Sequence, residues 1–284
     1  MNRKIEIKAA DDKKLSCTFF SGQSETEVTK VIIIQSAVGV KRGFYSPLAG
    51  FLSKNGYHVY TMDYRGIGDS GDPSTIEDGI HTWGTLDLRA LHEYVETNHP
   101  NTDLNIIGHS GGGWLLGYVR PPKNLKSLVL LNVGDGYFNA FPFPANITMY
   151  LNWKVHLPRE VKKDGLLLTS KYYYGAPLPK NIALKWAEMG LLKGFLENPA
   201  LNPKGRYLKS YNIRKLSVSF SDDKVIPLKP IQSMMKKFDN NLEHFHLHPK
   251  DINEKEMGHF GILKPNQKNN LWPRILTWLE GKSF

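Results

Sequence analysis

The chain has 284 residues, of which 40% are hydrophobic and 23% charged, and it carries a formal net charge of +10 at pH 7. These proportions are typical of a globular protein with room for a full core, and the absence of an apolar run of about 18 residues excludes a predicted transmembrane helix. The lysines are scattered singly and in pairs, so the charge predicts no nucleic-acid-binding segment.

Two features of the sequence bear on the cellular compartment of the protein. Residues 1–8 alternate like a strand and lack the apolar core of a signal peptide. The single cysteine, Cys17, excludes an internal disulfide bond and fits a reducing compartment. We therefore expect a cytoplasmic protein, and we interpret its positive charge as ordinary surface charge. Attraction to an anionic membrane surface is the less favoured interpretation.

Hydrophobic patterns predict strands and helices that alternate along most of the chain. Continuous apolar runs are typical of buried parallel strands, and apolar positions at helical spacing predict the helices between them. The predicted strands lie at 4–8, 15–20, 31–34, 57–62, 104–107, 127–133, 216–220 and 242–248, and the predicted helices near 45–54, 86–94, 230–238 and 271–279. This order indicates an α/β fold, with an early hairpin and a mostly parallel central sheet flanked by helices.

From Gly136 to Tyr211 the alternation breaks into an aromatic, proline-rich stretch with helical fragments. We interpret residues 136–211 as an inserted helical cap over the carboxyl end of the sheet, and residues 1–135 and 212–284 as the core. The aromatic side chains of the cap predict either an apolar acyl or alkyl site or the core of the cap itself. They are Tyr137, Phe138, Phe141, Phe143, Tyr172, Tyr173 and Tyr174.

The most informative segment is Gly108-His109-Ser110-Gly111-Gly112, which directly follows an apolar strand. A strand that ends in Gly-x-Ser-x-Gly and runs into a helix is the nucleophile elbow of a serine hydrolase. Gly108 and Gly112 keep the tight turn free of side chains, and the strained turn points Ser110 out of the sheet beside a helix N-terminus. Ser110 is therefore the candidate nucleophile.

A serine nucleophile needs a base, and the base needs an orienting acid. In a fold with this elbow, the acid and then the histidine follow the serine along the chain. Asp223, in the turn just past the strand 216–220, is the predicted acid. Asp135, at the end of an earlier strand, is the second choice, and Asp222 is the third, as a turn or helix-cap residue.

Ten histidines compete for the role of base. His259, flanked by glycines in the loop after the last predicted strand, is the candidate, whereas His109 in the elbow points away from the serine. His244, His246 and His248 alternate on one strand and therefore face one side, as metal ligands do. No cysteine or carboxylate is placed to complete a site with them, so we predict no metal and no cofactor.

The oxyanion of an acyl-transfer reaction needs two backbone N–H donors. We expect one from Gly111, directly after the nucleophile, and the other from the loop 35–40, where Ala37 is the candidate and Val38 is next. A second dense segment, 63–71, contains glycines but lacks the rest of a dinucleotide-binding motif. We interpret it as a structural loop in which Asp63 and Arg65 hold turns together.

These segments together resemble the α/β-hydrolase superfamily over nearly the whole chain. The similarity is greatest to its serine-aminopeptidase-like and monoacylglycerol-lipase-like branch, through the segments 63–70, 108–112 and 258–261. Within that branch the chain is similar to a set of bacterial hydrolases that share the sequences at 178–180 and 183–186.

The resemblance implies the α/β-hydrolase sheet, an inserted cap and the triad Ser110, Asp223 and His259. In one respect the chain departs from the family, which commonly carries His-Gly at the start of the oxyanion loop, where this chain has Gln35 and Ser36. That departure bears on the geometry of the loop and on the acyl groups it accepts.

We predict a serine hydrolase that cleaves small or lipid-like carboxylic esters through an acyl-enzyme. The expected partner is a small-molecule ester and no nucleic acid, and the sequence predicts no oligomeric state. Peptidase, thioesterase and acyltransferase activities use the same residues and stay open. A non-catalytic ligand-binding protein is an alternative of another class, although such proteins usually lose a member of the triad.

Overall fold

The computed structural model describes residues 2–25, 27–169, 175–194, 196, 207–238 and 241–284. In these residues the strands are β1 (Asn2–Lys8), β2 (Lys14–Phe20), β3 (Lys30–Gln35), β4 (His58–Met62), β5 (Asp103–His109), β6 (Leu125–Leu131), β7 (Leu166–Leu167), β8 (Leu178–Pro179), β9 (Arg214–Phe220) and β10 (Leu242–Leu247). The α-helices are α1 (Ser46–Lys54), α2 (Arg89–Asn98), α3 (Gly111–Trp114), α4 (Ala145–Leu151), α5 (Leu157–Asp164), α6 (Lys180–Leu191), α7 (Leu228–Met235) and α8 (Leu271–Leu279).

Eight of the strands form one sheet in the order β1-β2-β4-β3-β5-β6-β9-β10. The pairs β1–β2 and β2–β4 are antiparallel, and every other pair is parallel. The predicted α/β fold, with its N-terminal hairpin and mostly parallel sheet, is confirmed. Because the carboxyl ends of the parallel strands share one edge, the segments that follow β5, β9 and β10 meet there.

The central strand β3 illustrates why its sequence is continuously apolar. Ile32 and Ile34 lie in a buried cluster with Leu48 of α1 and Trp272 of α8, while Ile33 lies in a second cluster on the other face, with residues of α2. Side chains alternate between the two faces of a strand, so a sheet covered by helices on both sides needs apolar residues at every position.

The helix after the predicted elbow is short. It comprises the single turn α3 and continues as a 3₁₀ turn, Leu115–Tyr118. Three consecutive glycines open α3, and glycine costs about 1 kcal/mol per residue in a helix relative to alanine. Close packing nevertheless requires them: a Cβ on Gly113, for example, would overlap the side chain of Val133.

Between β6 and β9 the described residues form α4, α5, α6 and the antiparallel pair β7–β8. A π-helical turn, Asn152–His156, joins α4 to α5. The ring centroids of Trp153, in that turn, and Trp186, in α6, are 5.0 Å apart. The indole N–H of Trp153 donates to the Gly136 carbonyl. The predicted cap residues at 172–174 lie outside the described residues. No helix in the described part of the chain is long and apolar enough to cross a membrane.

The segment 63–71 has the structural role expected from its sequence. The Arg65 guanidinium is fully buried, and it pairs with Asp11 in the N-terminal hairpin and with the buried Asp87. Asp63 pairs with Arg42 and also accepts the Arg42 backbone N–H. These ion pairs fasten the hairpin and the loop after β4 to the rest of the core.

Candidate active site

Ser110 lies at the carboxyl end of β5, with φ of 49° and ψ of −119°. A positive φ is strained for a residue with a side chain, so neighbouring contacts must hold it. The Ser110 N–H donates to the Leu131 carbonyl at 2.9 Å, and the Gly113 N–H donates to the Ser110 carbonyl at 3.0 Å. The strain and these bonds present the partly exposed Ser110 side chain to a cavity at the edge of the sheet.

The glycines around Ser110 are required by the close approach of neighbouring backbone. A Cβ on Gly108 would lie 2.8 Å from the Gly113 Cα, and a Cβ on Gly112 would lie 2.7 Å from the Ser36 carbonyl oxygen. Both separations are shorter than real carbon atoms tolerate, so the turn packs directly against the loop that follows β3.

Asp223 and His259 are brought together although 35 residues separate them in the sequence. His259 Nδ1 lies 2.7 Å from Asp223 Oδ2, and both residues are buried. The other carboxylate oxygen of Asp223 accepts the N–H groups of Val225 and Ile226 at 2.8 and 2.9 Å. A carboxylate fixed in this way orients the imidazole and favours a proton on Nδ1, which leaves Nε2 as the basic nitrogen. Ser110 and His259 line the same cavity.

The second candidate acid, Asp135, is directed at α7. One of its oxygens accepts the Ser233 hydroxyl at 2.8 Å and lies 3.6 Å from Lys237 Nζ. The other accepts the Tyr137 N–H at 3.1 Å. This geometry favours Asp223 over Asp135 as the partner of His259.

Asp222, the third candidate, has a positioning contact that the sequence did not predict. Its two oxygens accept the N–H groups of Met257 and Gly258 at 2.8 and 3.1 Å. The adjacent aspartates therefore act on the same loop: Asp223 binds the ring of His259, and Asp222 binds the backbone just before it.

His109 connects three loops of the site. Its Nε2 lies 3.1 Å from the His259 carbonyl, which only accepts, so Nε2 carries the proton. Burial, with a smaller contribution from the nearby His259 ring, lowers the pKa of His109 to about 3 and keeps it neutral. Its Nδ1 therefore accepts from the Tyr45 hydroxyl at 3.0 Å, and that hydroxyl accepts the Ala37 N–H at 2.7 Å. The His259 carbonyl also accepts from Asn132 Nδ2 at 2.9 Å.

Ala37 is the first choice of oxyanion donor from the sequence, but its N–H already donates to the Tyr45 hydroxyl. Ala37 and Val38 both line the cavity. The backbone nitrogen of Val38 lies 3.2 Å from where a Cβ on Gly111 would be, so Val38 is packed against the elbow. Val38, the second predicted choice, lies beside Gly111, whereas the Ala37 N–H already has an acceptor. Gln35, where the family carries histidine, donates its amide N–H to His92 Nε2 at 2.9 Å.

His244 and His246 of β10, and His248 directly after it, have other partners. His244 and His246 both contact the Ser219 hydroxyl, at 2.9 and 2.8 Å. His248 accepts the Lys250 N–H at the start of a 3₁₀ turn. Among the described residues no group of three metal-ligating side chains is arranged around a common point.

The cavity beside Ser110 has a volume of about 260 Å³ and a largely apolar wall. Its floor comes from the sheet-edge loops, and its roof comes from residues of α4, α5, β7 and α6. The apolar side chains of the wall are Ala37, Val38, Trp114, Phe141, Met149, Trp153, Leu157, Leu167, Trp186, Val225, Ile226 and Phe260, and the polar ones besides Ser110 and His259 are Asn152, Thr169 and Lys224. Such a wall suits a hydrocarbon chain that leads to a polar reacting group.

Comparison with known proteins places these observations in a wider context. The family model described as alpha/beta hydrolase fold matches residues 30–171, half of the chain. A monoacylglycerol lipase from Mycolicibacterium smegmatis is 28% identical over 118 residues, which cover 39% of this chain and 42% of that protein. The chain therefore spans less than half the length of this curated relative.

Solved structures resemble the chain over nearly all of its length. An esterase from Pyrococcus furiosus has a TM-score of 0.62 at 17% identity, covering 100% of this chain and 92% of its own. An esterase from Exiguobacterium antarcticum has a TM-score of 0.60 at 16% identity, covering 98% and 100%. At these identities the likeness is one of fold.

Proposed function

This chain belongs to the alpha/beta hydrolase family, and from that premise we propose that it is a serine hydrolase that cleaves carboxylic esters through an acyl-enzyme. The observation that carries the proposal is that one cavity is lined both by Ser110, at a φ of 49°, and by His259, whose Nδ1 is 2.7 Å from Asp223. Nucleophile, base and orienting acid stand in the chain order typical of this elbow.

In the proposed reaction, His259 Nε2 removes the hydroxyl proton as Ser110 Oγ attacks the ester carbonyl. Asp223 stabilises the imidazolium that forms and holds the ring in its tautomer. The tetrahedral intermediate then collapses: the carbon–oxygen bond to the alcohol breaks, and His259 returns the proton to the leaving oxygen. Water, activated by the same histidine, attacks the acyl-enzyme and releases the acid and Ser110.

The negative charge on the carbonyl oxygen needs two donors that are in place before the reaction. We assign them to the N–H groups of Gly111 and Val38. Gly111 follows the nucleophile at the N-terminus of α3, and Val38 reaches the elbow from the loop after β3. The close packing of Val38 against Gly111 supports this assignment.

The apolar cavity defines the proposed acyl group. Its volume of about 260 Å³ and its apolar wall suit an acyl chain of short to medium length. We therefore propose esters of short and medium-chain acids as substrates. We also propose that residues 136–211 form an inserted cap on a core of residues 1–135 and 212–284. The inner side chains of this cap would bind the acyl chain of the substrate.

Labelling with a fluorophosphonate probe tests the proposal, because the probe reacts with an activated serine. We expect the wild type to be labelled, and Ser110→Ala and His259→Ala to lose labelling. Ser74→Ala, at an exposed serine far along the chain from the elbow, is the matched control and should label like the wild type.

Hydrolysis of nitrophenyl acetate, butyrate and octanoate then tests the ester and chain-length assignments. Labelling without ester turnover, together with turnover of a thioester or a peptide, would move the protein to one of those classes. Absence of labelling in the wild type would contradict the serine mechanism and favour a ligand-binding protein.

A further inference from the structure

The exposed large hydrophobic residues of the described chain are concentrated beside the cavity. Phe143 is 79% exposed, and Ile147, Tyr150 and Leu151 of α4 are 40–50% exposed. Val225, which is 48% exposed, lines the cavity itself. Scattered apolar residues on a surface need no explanation, but a group of them on segments that also line one cavity is a candidate interaction site. We call these five residues the apolar rim.

The helix α4 has two apolar faces. Met149 and, one turn later, Trp153 line the cavity. Ile147, Tyr150 and Leu151 have the i, i+3, i+4 spacing of a second face, which is open to solvent. The cavity explains the inner face. On the outer face, the Tyr150 ring contacts the Phe138 ring edge-on at 5.1 Å between centroids, whereas Ile147 and Leu151 are 50% and 43% exposed.

The charged side chains on the two stretches that carry the rim are all basic. The stretches 136–159 and 224–238, which carry the rim, contain no aspartate or glutamate. Lys154 is exposed, and the exposed Lys229 donates to the Phe141 carbonyl at 3.3 Å, which places its ammonium beside the turn that carries Phe143. Exposed apolar side chains flanked by lysines are complementary to a negatively charged surface with accessible hydrocarbon.

We propose that the apolar rim, with Lys154 and Lys229, docks the enzyme on an anionic lipid surface, so that acyl chains enter the cavity from the lipid. This deepens the ester-hydrolase proposal and rests on it. A lipid surface is the occupant because the rim borders a cavity with an apolar wall, and a lipid layer presents hydrocarbon chains and surface charge together.

Flotation with lipid vesicles tests the docking separately from catalysis. The protein carries Ser110→Ala, so that no lipid is consumed, and is mixed with vesicles of phosphatidylcholine or of an equal mixture of phosphatidylcholine and phosphatidylglycerol. We expect binding to the mixed vesicles, much weaker binding to phosphatidylcholine alone, and release as salt is raised.

Paired substitutions locate the surface. Lys154→Gln with Lys229→Gln should weaken binding to the mixed vesicles roughly 25-fold, about fivefold for each lysine near an anionic surface. Phe143→Ser with Ile147→Ser should weaken it at least about tenfold by removing buried apolar area. The matched control, Lys123→Gln with Lys126→Gln, removes the same charge from exposed lysines at the amino end of the sheet and should bind like the parent.

The outcomes separate the two proposals. An equal loss of vesicle binding in the control pair would show that net charge alone attracts the protein, and it would overturn the rim as the docking site. Failure of the parent protein to bind the mixed vesicles would also overturn the proposal. Equal binding to both vesicle types would overturn the anionic requirement. With Ser110 intact, the rim variants should hydrolyse nitrophenyl butyrate in solution like the wild type. If the wild type itself does not hydrolyse this ester, that result counts against the ester-hydrolase proposal.

Discussion

The two sides of the cavity are built by different means. At the sheet edge, Ser110, Asp223 and His259 are held by directed hydrogen bonds and by backbone packing that excludes even a methyl group. On the opposite side, α4 and α5 face the cavity with side chains such as Met149 and Leu157, whose apolar contacts have no fixed direction. Substitutions at the edge should therefore change kcat, and those in the helices should change KM.

The largest effect should come from Asp223→Asn. Loss of the carboxylate leaves His259 in the wrong tautomer, and kcat for nitrophenyl butyrate should fall about 10⁴-fold. Asp135→Asn is the matched control and should stay within about twofold of the wild type, because the amide can keep most of the contacts to α7. Activity that survives Asp223→Asn and is lost in Asp135→Asn would reverse the assignment of the acid.

Asp222→Ala tests whether the edge depends on bonds outside the triad. Two charge-assisted bonds to the backbone before His259 are lost, and we expect kcat to fall roughly 30-fold, or about 2 kcal/mol, with little change in KM. Asp222→Asn should recover much of the loss, since its amide oxygen still accepts. An equal fall in both variants, or an effect confined to KM, would exclude the positioning role.

The buried histidines predict a pH-dependent stability. Burial, first among the causes, lowers the pKa of His109 to about 3 and that of His92 to about 4. Below about pH 6.5 the unfolded chain binds protons that the folded chain does not, so the free energy of unfolding falls as pH falls, by up to ~1.4 kcal/mol per pH unit for each histidine. Stability is then lost progressively as the pH falls toward the pKa values of the two histidines in the folded state, about 4 and about 3.

Urea unfolding at several pH values between about 7 and about 5 measures this slope. His92→Gln should make it shallower, whereas His248→Gln, at an exposed position, should leave it unchanged. An unchanged slope in His92→Gln would mean that the proton uptake on unfolding occurs at other groups.

The smallest effect on activity is expected from substitutions in the helices that face the cavity. Met149→Ala should raise KM for nitrophenyl octanoate about threefold to tenfold, through lost apolar contact, and leave kcat for the acetate unchanged. Ile147→Ala, two residues away on the outward face, should change neither value in solution. A fall in kcat for the acetate in Met149→Ala would show that α4 also positions the reacting groups.

The fold and the grouping of Asp223 with His259 could be predicted because their signals are strong. Continuous apolar strands predict a covered parallel sheet, and candidate residues just past strand ends meet at one edge. The choice between Ala37 and Val38 could not be made, since backbone donors leave no trace in side-chain identity. It depends on the Tyr45 hydroxyl, which reaches Ala37 through tertiary packing. The contact of Asp222 with Met257 joins residues 35 positions apart and has no local pattern.

The bonds to the His259 carbonyl have a consequence for the second half of the proposed reaction. Once Ser110 is acylated, its hydroxyl no longer has a proton to share with the imidazole. The ring then depends on Asp223, and its backbone depends on Asn132 and on His109, the immediate neighbour of the acylated residue. In the proposed reaction these bonds keep the imidazole in position for the incoming water, so the support of the base does not depend on the serine.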